Sequence, residues 1–212
     1  VNPEGMLTAI YKGPASPDGL LRDIQKFSRT VTERFARTGP LDGRVIQHPL
    51  IEQYRKKDST KVLFVLSSEL QKAGLIDEAE RQYLYLLEND PNYGLAHYNL
   101  GLLYLRQKKL VDSRCRLETA VRLMPDHALA HKNLGRLHHT EGRGAQARKY
   151  YHRAVQLHPE DPEPHYLLGL IELSEAGLDR AMVHFEQAVK RNPNLAQVHN
   201  NLGLILVHKG NL

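Results

Sequence analysis

From Thr60 onward, apolar and small positions return with a fixed period. Leu100-Gly101 is followed 34 residues later by Leu134-Gly135, then by Leu168-Gly169 and Leu202-Gly203, with Leu66-Ser67 in the same phase. Pro91, Pro125, Pro159 and Pro193 share a second phase. The small residues Ala79, Ser113, Ala147 and Ala181 share a third, and the bulky Tyr83, Leu117, Tyr151 and Phe185 a fourth. A period in this range marks a stacked array of similar units. Each unit predicts a first helix of about 14 residues with one apolar stripe, a break, and a second helix. Units begin at Thr60, Gly94, Ala128, Pro162 and Ala196, the last lacking its second helix. The breaks fall at Gly74, Lys108-Lys109, Gly142-Arg143-Gly144, Ala176-Gly177 and Gly210, and the phased prolines end the second helices.

The small residues predict where helices touch. A glycine inside a helix costs about 1 kcal/mol relative to alanine. Gly101, Gly135, Gly169 and Gly203 are therefore expected where a second helix comes close, beside the bulky residues of the fourth phase. Ala120, Ala154 and Ala188 let the following unit nestle against the second helix. Asn92, Asp126, Asp161 and Asn194 are candidate helix caps, and Asp77 with Glu80 has the spacing of a capping box.

The run of Leu-Gly, a small residue, a bulky residue, Ala and Pro resembles the tetratricopeptide repeat (TPR) pattern over residues 60–212. The pattern's opening Trp is replaced by Leu63, His97, His131, His165 and His199, and its Tyr by Leu70, Tyr104, His138, Glu172 and Leu206. The resemblance implies an all-α fold, a right-handed superhelix of antiparallel helix pairs. It also implies a concave groove lined by first helices. In that groove it places Tyr98, Asn99, Leu102 and Arg106, then Lys132, Asn133, Arg136 and His139, then Tyr166 and Leu170, and finally Asn200, Asn201 and Leu204. Asn99, Asn133 and Asn201 form a row of amides, with Leu167 interrupting it. Side-chain amides both donate and accept, so such a row suits an extended peptide backbone. Lys132 and Arg136 make a basic spot for an acidic side chain or terminal carboxylate. Leu102 and Leu167 stand where the family's carboxylate clamp has Asn, so that clamp is not expected.

Residues 1–27 read as a β-turn-β-α unit. Asn2-Pro3-Glu4-Gly5 is a turn, Met6 to Tyr11 a strand, and Leu20, Leu21, Ile24 and Phe27 one face of a helix. This short β-hairpin and helix resemble the end of a thioredoxin-like (redoxin) domain, whose Cys pair would lie upstream of Val1. Residues 28–59 read as a basic linker with a short helix near Leu50, Ile51 and Tyr54, interrupted by Gly39-Pro40 and His48-Pro49.

Composition narrows the chemistry. The net charge is +5, and Arg22 to Lys61 alone holds ten basic residues against five acidic ones. The surplus thus sits before the repeats and forms no basic stripe along them, so no nucleic-acid partner is expected. No apolar run reaches the roughly 20 residues of a membrane span. Cys115 is the single cysteine, and no catalytic constellation, phosphate loop or metal-ligand spacing is visible. The His at repeat-opening positions is read as helix packing, because equivalent rungs of neighbouring helices stand about 8–10 Å apart. The expectation is a non-catalytic protein-interaction scaffold with a peptide or protein partner and no cofactor or metal. Two alternatives stand beside it. One is a substrate-docking tail of a redoxin-like enzyme. The other is a self-assembly module that makes homo-oligomers through the uncovered last repeat.

Overall fold

The computed structural model describes residues 60–72 and 74–210 of the chain. The expected hairpin, helix and linker of residues 1–59 lie outside the described residues. Among the described residues all regular structure is helical: α1 (Thr60–Lys72), α2 (Ile76–Asn89), α3 (Gly94–Arg106), α4 (Leu110–Leu123), α5 (Ala128–Thr140), α6 (Gly144–Leu157), α7 (Pro162–Ser174), α8 (Leu178–Arg191) and α9 (Ala196–His208). The first helices thus begin at the residues where the period places them.

The chain divides into two compact units, Val1–Pro91 and Asn92–Leu212. In the first, α1 and α2 pack as one helical hairpin. Leu63, Leu66 and Leu70 of α1 are buried, as are Ala79, Tyr83 and Leu86 of α2, and the Tyr83 hydroxyl bonds to Gln71 Oε1 at 3.1 Å.

In the second unit, α3 pairs with α4, α5 with α6, and α7 with α8, while each second helix also packs on the next first helix. The glycine expectation holds at three of its four positions in this unit. A Cβ on Gly101 would lie 2.8 Å from Leu117 Cγ, and one on Gly135 would lie 2.7 Å from two Tyr151 ring carbons. On Gly169 it would lie 2.5 Å from Phe185 Cε1. Only a glycine lets these side chains sit where they do. At Gly203 nothing comes within 4 Å. Ser113, at the otherwise alanine position, adds a buried bond from its hydroxyl to the Gly101 carbonyl at 2.8 Å.

The five turns are also in phase. Gly74, Lys108, Gly142, Ala176 and Gly210 all adopt positive φ, between 58° and 79°. In the first four turns the following amide then reaches back to the helix end, as from Lys109 to Tyr104 O at 2.9 Å and from Gly177 to Glu172 O at 2.8 Å. This is the Schellman closure that favours glycine. Lys108 and Ala176 adopt it with a side chain present.

The capping expectations are partly corrected. Asp161 does cap α7, accepting from the Glu163 amide at 3.0 Å. Yet α3 starts after Tyr93, α5 after His127 and α9 after Leu195, so Asn92, Asp126 and Asn194 fall one residue too early. His127 caps α5 instead, its Nδ1 accepting from the Ala130 amide at 3.0 Å. Asp77 lies inside α2 beyond the cap position Leu75, so the Asp77–Glu80 box does not form.

Candidate binding surface

The second unit sets α3, α5 and α7 side by side, and their residues sort into two stripes. The first comprises Tyr98, Lys132 and Tyr166. It turns into the joint with the following repeat. The Tyr98 ring packs on His127 with centroids 4.9 Å apart, and its hydroxyl accepts from Asn133 Nδ2 at 3.0 Å. Burial raises the Tyr98 phenol above its ordinary pKa, so it stays neutral. Lys132, only 12% exposed, pairs with Asp161 at 2.7 Å and Glu163 at 2.8 Å. Desolvation alone would lower the Lys132 pKa, but the hydrogen bonds and charges of Asp161 and Glu163 together outweigh it and raise the pKa above its ordinary value. Tyr166 packs tilted against Phe185 and the core around α9. Asn200 shares this phase and stays exposed on α9. The joint therefore claims three residues expected to line the groove, since one helical position of rotation moves a side chain from the open face to the neighbour.

The second stripe stays open. On α3 it holds Leu95, Asn99, Leu102 and Arg106, and on α5 Leu129, Asn133, Arg136 and Thr140. Leu102 is half-buried against the Leu134 and Leu137 core, Arg106 is exposed, and Arg136 pairs with Glu163 at 3.1 Å. The basic spot expected at Lys132 and Arg136 is thus already met by Asp161 and Glu163. Leu170 packs on the α8–α9 core, Asn201 is half-buried, and Leu204 is 66% exposed. His139 leaves this stripe: its ring stands edge-on to Tyr151 of α6 at 6.5 Å. Leu95 and Leu129 are 37% and 48% exposed and were missed in the sequence reading. The signal was present, because each lies four residues before a stripe asparagine, one turn up the same face.

Asn133 is held by two hydrogen bonds. Its two amide hydrogens go to Tyr98 Oη at 3.0 Å and to the Leu129 carbonyl at 2.9 Å. That leaves Oδ1, an acceptor, for anything lying along the stripe.

The histidines pack rather than coordinate. His131 bonds through Nε2 to the Pro125 carbonyl at 2.9 Å, and His199 likewise to Pro193 at 2.7 Å. The phased Pro and His thus form one local latch. In the repeat between them Arg191 takes the Pro159 carbonyl, and both ring nitrogens of buried His165 are left without a partner. Burial, with Arg191, His184 and His152 nearby, pushes the His165 pKa down to about 4. His138 is buried and stacks face to face on Tyr150 at 5.3 Å. Buried Glu172, at the same phase, is held by Arg148 at 3.0 Å and by Arg180. The His131–Pro125, His199–Pro193 and Glu172–Arg148 contacts bind repeat to repeat, whereas His138–Tyr150 and Glu172–Arg180 join the two helices of one repeat. Among the described residues no three His, Cys, Asp or Glu side chains are placed to hold a metal ion, and no helix is long and apolar enough to cross a membrane.

Paired antiparallel helices that repeat in phase, with amides and leucines left on the open face of the first helices, define a helical-repeat interaction scaffold. The Tetratricopeptide repeat profile matches residues 64–117, 112–162 and 141–182. That is more than half of the chain, and the protein belongs to the tetratricopeptide repeat family. Proteins of this family bind protein partners.

Solved structures agree on the fold. YrrB, a TPR protein with an unusual peptide-binding site, is 22% identical with a TM-score of 0.66, over 79% of this chain and 83% of that one. PilF of Pseudomonas aeruginosa is 16% identical with a TM-score of 0.66, over 90% and 86%. MamA is 20% identical with a TM-score of 0.64, over 78% and 96%. At these identities the likeness concerns the fold alone. A comparison with curated protein sequences gave no match.

Proposed function

We propose that residues 92–212 bind an extended segment of a partner protein along the open stripe of α3, α5 and the first helices that follow. The observation that carries this reading is the posture of Asn133. An exposed surface amide normally loses rotamer freedom when it binds, whereas this one is already held by Tyr98 and by its own helix. Its free oxygen suits a peptide N–H, and exposed Leu95 and Leu129 flank it with apolar surface. A peptide-binding site on YrrB, a protein of the same fold, supports the assignment by analogy. Of the residues expected in the groove, the proposed stripe keeps Asn99, Leu102, Arg106, Asn133, Arg136, Leu170, Asn201 and Leu204.

The test is a selection of binders from a random displayed-peptide library on the full chain. The selected peptides should be lost with Leu129→Asp combined with Asn133→Ala. They should survive Val183→Asp, an exposed position on second helix α8. Equal loss with both variants would refute the groove.

A second reading is favoured by α9. Leu204 and Val207 are 66% and 57% exposed there, and nothing lies within 4 Å of where a Gly203 side chain would be. An apolar helix face of this kind suits self-association. Light scattering of the full chain decides it: a monomer at all concentrations removes this reading.

A further inference from the structure

We infer that the joint between α6 and the α7–α8 hairpin opens in mild acid, driven by the three histidines His152, His165 and His184 that meet there. Such a hinge acts whether or not a peptide lies on the open stripe. Two features of the joint carry it.

The first is the cluster itself. His152 comes from α6, His165 from α7 and His184 from α8, and α7 packs on both α6 and α8. The His184 ring centroid lies 6.1 Å from that of His165 and 6.1 Å from that of His152. His165 is 7% exposed, and neither of its ring nitrogens has a partner. One repeat earlier the same three places hold Glu118, His131 and Tyr150. There His131 bonds to the Pro125 carbonyl, and Tyr150 stacks on His138 and stands 6.1 Å from the His131 ring. Burial first and the Glu118 charge second raise the Tyr150 phenol above its ordinary pKa, so a carboxylate reaches that place. The later joint exchanges the phenol and the carboxylate for two imidazoles and gives up the carbonyl bond.

The second is the absence of a free counter-charge. Around the cluster stand Arg148 of α6, Arg191 of α8, Asp161 at the head of α7 and Glu172 of α7. Asp161 is already bound to Lys132 at 2.7 Å, and Glu172 to Arg148 and Arg180. A proton taken up by the closed joint thus meets two guanidinium groups and two carboxylates that are already paired. Burial, with Arg191, His184 and His152 acting the same way, holds the His165 pKa down to about 4, and burial also lowers that of His184. Once the joint opens, water reaches the rings and they titrate near their ordinary value of about 6.5. Each lowered histidine therefore binds its proton more tightly in the open joint. The closed joint is favoured above about pH 6.5 and loses ground as the pH falls toward 4. At pH 5.5, His165 alone shifts the open-to-closed ratio about tenfold. Helix pairs in a stacked array contact only their neighbours, so one joint can open while the others hold. The bridges from Lys132 and Arg136 of α5 to Asp161 and Glu163 cross the same joint, so its opening also parts α5 from α7.

The experiment is amide hydrogen exchange of the full chain at pH 7.5 and pH 5.5, read by mass spectrometry as protection corrected for intrinsic exchange rates. Protection in α7 and α8 should fall about tenfold or more, and in α3 and α4 by less than about threefold. The double variant His152→Glu/His184→Tyr gives this joint the residues of the earlier one. Its fall in α7 and α8 should shrink to about threefold or less, with circular dichroism confirming the fold. His152→Glu alone, at an exposed position, supplies the missing carboxylate and should shrink the fall in the same direction. A fall unchanged in both variants overturns the hinge. So does the absence of any fall in the native chain, or an equal fall in α3 and α4, which would mark loss of the whole array rather than opening of one joint.

Discussion

The clearest quantitative prediction concerns the glycines at the helix contacts. Replacing Gly169 by Ala would set the new Cβ 2.5 Å from Phe185 Cε1, 2.6 Å from Cδ1 and 3.0 Å from Cζ. Ordinary carbon contacts lie near 3.5–4.0 Å, so the ring must retreat by most of an ångström. Phe185 is fully buried and packs in the core shared with Ala181, Ala188 and Ile205, so it has no empty space to enter. Overpacking of this kind costs about 1–3 kcal/mol. The alanine itself returns about 1 kcal/mol of helix propensity. The net expectation for Gly169→Ala is a loss of about 0–2 kcal/mol. Gly203→Ala is the internal control, because it occupies the same phase on α9 and meets nothing within 4 Å. It keeps the propensity gain alone, a stabilisation of about 1 kcal/mol. Urea unfolding followed by circular dichroism measures both. The decisive quantity is their difference, about 1–3 kcal/mol in favour of Gly203→Ala. Equal stability of the two variants, or a more stable Gly169→Ala, would show that the close approach of α7 and α8 does not explain the glycine phase.

Three further outcomes are expected. His165, neutral when folded with a pKa of about 4 and ordinary when unfolded, disfavours the folded state as soon as acid protonates the unfolded chain. Its contribution is intact above about pH 6.5 and falls progressively toward pH 4, by about 1.4 kcal/mol at pH 5.5. Burial lowers the pKa of His131, His138 and His184 and adds in the same direction. The melting temperature should therefore be lower at pH 5.5 than at pH 7.5, and His165→Phe should shrink that gap while gaining about 1 kcal/mol at neutral pH by removing two unpaired ring nitrogens. A gap unchanged by His165→Phe contradicts the assignment. Ala176→Gly relieves a side chain held at φ 58° and should stabilise by about 1 kcal/mol in thermal melts, whereas Gly142→Ala, at φ 74°, should destabilise by a similar amount. Glu172→Ala leaves Arg148 and Arg180 facing each other at a repeat joint and should cost about 2 kcal/mol in urea unfolding, with Glu172→Gln costing less.

The parts of the molecule that follow from periodicity were legible in advance. The starts of the first helices, the breaks, the close glycine contacts and the buried small and bulky phases each depend on residues repeated every 34 positions, so every unit corroborates the others. The caps were less legible. Asn92, Asp126 and Asn194 have suitable chemistry, but a cap is decided by a single residue of chain direction, and His127 can serve because its imidazole reaches the amide of Ala130. The neighbours of the candidate groove residues were not legible: Tyr98 and Lys132 were assigned to the open face, although each finds its partner across the joint, in Asn133 and His127 or in Asp161 and Glu163.

By itself the amino-acid sequence determined that this chain is a tetratricopeptide array, where its helices begin and which of their residues must be small. Those properties are local or repeat in register, so one period suffices to specify them. Which cations remain unmatched, which asparagine is held in a fixed posture and which histidine loses its carbonyl partner were decided only by tertiary structure. Each depends on a side chain brought in by another helix, whose reach and competition for partners no spacing along the chain encodes. Arg191 taking the Pro159 carbonyl from His165 is the plainest case, since the same Pro and His spacing makes a hydrogen bond one repeat earlier and one repeat later.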